Sequence, residues 1–103
     1  MAANFDGHAI PVAASQTDSV LQRKTGAAGD YLQHLIIVPA TTSPGAVSIK
    51  DGSGSAVTLF PGGASSVATL IPFAVPIMST SRAGAWSVTT GANVSVVGVG
   101  RFS

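Results

Sequence analysis

The chain has 103 residues, the size of one small domain, and 9% of them are charged where a globular average is about 25%. Four aspartates, no glutamate and five basic residues leave a formal net charge of +1, which gives no basic field for nucleic acid. The absence of cysteine excludes a disulfide framework, a thiolate metal site and a cysteine nucleophile, and no run approaches the roughly 20 apolar residues of a membrane helix.

Residues 1–29, "MAANFDGHAIPVAASQTDSVLQRKTGAAG", hold many of the charges and few bulky apolar side chains. The start lacks a basic stretch followed by an apolar one, so no secretory signal is expected. Short strands are expected at His8–Ala14 and at Ser19–Lys24, within a segment read as an extended N-terminal arm or edge piece. "TGAAGD" is a turn leading into the main body, residues 30–103.

From Tyr31 onward the pattern is β. "YLQHLIIVPA" is an apolar run rich in branched residues, ended by Pro39. "AVSIK" alternates, with Val47 and Ile49 on one face. "DGSGS" is a hairpin signal, because glycine tolerates positive φ and aspartate bonds back to its own backbone. "AVTLF" alternates again, with Val57 and Leu59 facing one way. "PGGASS" interrupts the pattern, and the two prolines of "VATLIPFAVPIM" argue for an edge strand, a bend or two pieces. "STSRAG" and "GAN" are turns around "AWSVTT", where Trp86 and Val88 share a face. "VSVVGVGRF" sets Val94 and Val96 together and then changes phase at Val97, Val99 and Arg101, with Gly98 and Gly100 marking a bulge or a close backbone approach.

No window has sustained helical periodicity, and strands recur about every 10 residues with turn signals between them. The fold class is all-β: a small antiparallel β-sandwich or jelly-roll-like barrel with an extended N-terminal arm. The expected core is Leu35, Ile37, Val47, Ile49, Val57, Leu59, Leu70, Phe73, Ile77, Trp86, Val88, Val94 and Val96.

The charge deficit admits two readings. Ser and Thr hydroxyls keep the surface soluble, or the flanks are covered by neighbouring subunits, where a charge would be costly to desolvate. The second is the working expectation, with the outward sets of "WSVTT" and "NVSVV" read as polar but neutral. The residues give no support for an enzyme. His8 and His34 lack metal-ligand spacing, "DGSGS" and "PGG" have no helix behind them to cradle phosphate, and Lys50 and Asp51 read as solvated turn charges. No cofactor, metal, nucleic acid or membrane is expected.

Residues 49–63, "IKDGSGSAVTLFPGG", and 81–103, "SRAGAWSVTTGANVSVVGVGRFS", carry a resemblance. With a DG-x-G turn, a GAW-x-VTTGA segment and a closing V-x-V-x-x-x-G-R-F strand, roughly residues 29–103 resemble small β-sandwich virion proteins of tailed bacteriophages. The resemblance implies a capsid decoration or cement protein, made in the host cytoplasm and carried on the capsid exterior. It would bridge major capsid protein subunits as a homo-oligomer, a trimer being favoured. The alternative is a receptor- or glycan-binding β module of a tail fibre or baseplate, with Tyr31 or Trp86 as an exposed platform. The arm supplies the expected partner contacts: Phe5, Ile10 and Val12 as apolar anchors, Arg23 and Lys24 as cations for acidic patches.

Overall fold

The computed structural model describes residues 8–103. Among the described residues eight strands form two antiparallel four-stranded sheets: β1 (His8–Val12), β2 (Ser19–Val20), β3 (Tyr31–Pro39), β4 (Val47–Asp51), β5 (Val57–Phe60), β6 (Phe73–Thr80), β7 (Trp86–Thr90) and β8 (Val94–Arg101). Sheet A has the order β1-β8-β3-β6 and sheet B the order β2-β7-β4-β5. The fold is therefore a small β-sandwich, as the alternating pattern predicts. Only the β4–β5 hairpin joins neighbours within a sheet; every other connection passes from one sheet to the other. Among the described residues β1 pairs only with β8, the last strand, and β2 only with β7.

The core lies between the sheets. Leu32, Leu35 and Ile37 on β3 and Val94 and Val96 on β8 meet Val47, Ile49, Trp86 and Val88 from sheet B. Burial alternates with period two along β8, as a strand facing a core on one side demands. The expected change of phase at Val97 does not occur. Gly98 and Gly100 stay on the inner face, and Val97 and Val99 point outward. The glycines answer close approaches: a Cβ on Gly98 would lie 2.9 Å from the Leu21 Cδ1, and one on Gly100 would overlap the Tyr31 carbonyl oxygen. The bulge falls on the neighbouring strand, where the β3–β8 register shifts between Leu32 and His34.

From His8 onward, the segment read as an arm belongs to the sandwich. β1 is the edge of sheet A and β2 the edge of sheet B, so the edge-piece half of that expectation is the one the described residues display. Val12 and Leu21 are fully buried and close this side of the core. The physical cause is apolar content: β1 brings Ile10 and Val12 and the residue after β2 brings Leu21, enough to plug the gap between the sheets. Two further expectations fail on the opposite side. Val57 and Leu70 are half exposed rather than core, while Leu32 and Phe102, absent from the expected set, are buried.

Candidate functional site

The described side chains with acid–base or ligand chemistry are dispersed or already engaged. His8 and His34 stand on strands separated by β8, at register positions with opposite facing. Among the described residues no three His, Asp or Glu side chains gather closely enough to hold a metal ion. Asp51 accepts hydrogen bonds from the backbone N–H groups of Arg82 (2.9 Å) and Ala83 (3.0 Å), fastening the β6–β7 loop to the hairpin. Lys50 points the other way and pairs with Asp18 at 3.6 Å, so the two neighbours are not the solvated turn pair expected. Successive strand residues face opposite sides of the sheet, which separates them.

Asp30 is buried and organises one end of the sandwich. Its carboxylate accepts hydrogen bonds from the Ala27 N–H at 3.0 Å and from the Ser103 N–H and hydroxyl at 3.2 and 2.9 Å. Its backbone carbonyl accepts from the Trp86 indole Nε1 at 3.1 Å. The backbone N–H groups of Arg23, Lys24, Thr25 and Gly26 converge on the Ser103 carbonyl oxygen at 2.8–3.2 Å. This concave run of amides is a nest of the kind that holds electron-rich oxygen. Here it ties the β2–β3 loop to the residue after Phe102.

Charge is unevenly placed. Arg23, Lys24, Asp30, Asp51, Arg82 and Arg101 all lie at this end, whereas the loops at the other end, residues 13–18, 40–46, 61–72 and 91–93, carry only Asp18. Those uncharged loops are laced together by backbone. Gly45 N–H donates to the Ala92 carbonyl and Gly91 N–H to the Ala46 carbonyl, both at 2.8 Å, and Gly63 N–H donates to the Pro44 carbonyl at 2.8 Å. Gly45 and Gly91 face each other so closely that a Cβ on either would lie 2.7 Å from the other's Cα.

The surface with a distinctive chemistry is the outer face of sheet A. Its ladders align Pro11, Val97, Ile36 and Ala74 in one row across all four strands. The next row is Ala9, Val99, His34 and Pro76, and Val38 lies beside Ser95. An exposed sandwich face is normally polar. This one has a single ionisable group within its rows, His34, and Arg101 and Tyr31 at its end. On sheet B the outward hydroxyls Ser48 and Thr89 match the polar set expected of "WSVTT", but Lys50 and Val20 share that face, so it is not neutral throughout; on sheet A the expectation gives way to a hydrocarbon face. The sequence signal was the unbroken runs "LIIV" and "VVGV", which mark strands apolar on both sides.

The expected partner contacts are not brought together. Phe5 lies outside the described residues. Ile10 packs against the core and Val12 is inside it, so both serve the chain's own fold. Arg23 and Lys24 are exposed at the charged end. Trp86 is 5% exposed, so it offers no sugar platform; Tyr31, at the end of β3, is half-buried. In comparisons with known proteins, the chain matches no family model, no curated relative and no solved structure.

Proposed function

We propose that this chain is a non-enzymatic structural subunit of a tailed-phage virion, a decoration or cement protein. It lays the outer face of sheet A on the exterior of the capsid and bridges neighbouring major capsid protein subunits. The observation that carries the reading is the hydrocarbon character of that face across all four strands. A free monomer gains nothing from such a face, whereas a subunit covered by a shell gains the burial of its valines and isoleucine. The virion-protein resemblance of residues 49–63 and 81–103 supports the shell as the partner.

The mechanism is mass action. A ligand that binds only the assembled shell stabilises it by RT ln(1 + [L]/Kd), about 2.7 kcal/mol per site at a hundredfold excess over Kd. Repetition over a symmetric lattice adds avidity without new chemistry. The test uses purified chain and undecorated heads of the phage that encodes it, pelleted together. Wild type co-pellets to saturation; Val97→Lys, which puts a cation in the middle of the apolar rows, does not, while its thermal unfolding stays within a few degrees of wild type. Equal co-pelleting of the two proteins, or an intact-virion density map without this sandwich on the head, refutes the proposal.

A further inference from the structure

The two flanks of the sandwich differ. On the β1/β2 side Val12 and Leu21 seal the core. On the β5/β6 side it stays open. Val57 is the cross-strand partner of Ile49 and so shares its inward face, yet it is 56% exposed. Phe60 and Phe73 meet edge-to-face at 5.5 Å across the seam, and Phe73, Val75 and Ile77 along β6 are only partly covered. β5 has four residues and β6 has eight, so β5 is too short to roof its neighbour. The loop that leads from β5 into β6 carries Leu70 and Ile71 (68% exposed), and β6 carries Met78 (67%). Residues 52–81, which build the whole flank, contain no ionisable side chain.

We infer that the open β5/β6 flank is a homotypic interface, closed by the same flank of a second copy about a two-fold axis, which is a dimer contact and not the trimer that the resemblance favours. Three observations select this occupant. First, an uncharged hydrocarbon strip offers a charged partner nothing, and its complement in chemistry is another copy of itself, the isologous arrangement of a two-fold pair. Second, eight residues of β6 at about 3.4 Å each, across a sandwich roughly 20 Å thick, give a footprint of roughly 500 Å² per copy, which reaches the ~1,000 Å² total of a specific interface. Third, both edges are blunted against strand addition. Pro76 lacks an N–H, the β3–β6 register shifts between Leu32 and His34, and the β4–β5 register shifts between Val47 and Ser48. Side chains, not ladders, therefore make the contact. Met78 sharpens the point: its φ is +53°, a left-handed conformation that suits Asn, Asp or Gly, so this exposed hydrocarbon side chain is not there for the strand's own sake.

The experiment is sedimentation velocity of the purified full chain from 1 to 100 μM (concentrations on the order of those that separate a micromolar dimer from its monomer). Wild type is expected to move to about twice its 10.2 kDa mass. Ile71→Asp is expected to stay monomeric over the same range, a loss of at least about tenfold in association. Met78→Asp, which fits its backbone better than methionine does, is expected to do the same with unchanged unfolding temperature, so a folding defect does not imitate the result. Val97→Lys, on the outer face of sheet A, is expected to dimerise as wild type does. A wild-type mass of one chain throughout overturns the inference, as does capture of this flank by a capsid subunit in place of a second copy. So does a dimer that survives both aspartates or is broken by Val97→Lys. The shell-docking proposal rests on a different face and a different assay, so the failure of one leaves the other standing.

Discussion

Leu21 is the residue on which the placement of the N-terminal segment depends. It is fully buried, and its two methyl groups lie 2.9 and 3.0 Å from where a Cβ on Gly98 would stand. Leu21→Ala removes three carbons, about 2.4 kcal/mol of transfer energy at ~0.8 kcal/mol each, and the cavity left behind raises the cost to about 3 kcal/mol. Out of a total stability of roughly 5–15 kcal/mol this is large, and at about 4–8 °C per kcal/mol it lowers Tm by roughly 12–24 °C. Gly98→Ala is the second arm of the cycle. In the wild type its new methyl meets Leu21, which has no free space to retreat into, and the overpacking costs about 1–3 kcal/mol. In the Leu21→Ala background the opposing methyls are gone. The same substitution then becomes neutral or stabilises by about 0.5–1 kcal/mol, because alanine has less freedom than glycine to lose on folding. Urea unfolding of the four proteins, followed by Trp86 fluorescence, yields the coupling energy. Additive effects, or a Leu21→Ala loss below about 1 kcal/mol, would refute the claim that this segment closes the core onto β8.

Two further outcomes test the rest of the scaffold. Asp30→Ala strands the Ala27 and Ser103 N–H groups and the Ser103 hydroxyl, and is expected to cost about 2–4 kcal/mol in urea unfolding. Gly45→Ala drives a methyl to within 2.7 Å of the Gly91 Cα, backbone that cannot swing aside, and is expected to cost at least about 3 kcal/mol; Gly54→Ala, 3.0 Å from a single carbonyl oxygen at the hairpin, is expected to cost markedly less in the same assay.

The strands were legible because alternation and turn chemistry agreed. Val47 and Ile49, Trp86 and Val88, and Val94 and Val96 point inward as their spacing predicts, and Gly52 takes positive φ at the Asp-Gly turn. Their partners were not legible, since pairings between β1 and β8 or between β3 and β8 leave no local mark in a single chain. Val12 and Leu21 escaped for a related reason: each sits in a short edge segment, Val12 beside Ile10 and Pro11 and Leu21 beside Val20, and only the gap it fills singles it out. Val57 and Leu70 fit the inward pattern, but period two states which way a residue faces and not whether anything stands opposite. The apolar outer face of sheet A could have been read from "LIIV" and "VVGV", had the runs been weighed as two faces rather than one.

The pairing of the first strand with the last sets a rule for biosynthesis. As the polypeptide leaves the ribosome, β1 and β2 emerge with no mate, and each sheet lacks one of its two inner strands until β7 and β8 are made. Most contacts join distant parts of the sequence, the arrangement that folds slowly and late. A product ended before β7 would therefore lack one inner strand of each layer and leave β1 and β2 unpaired, and would not be competent to join an assembly.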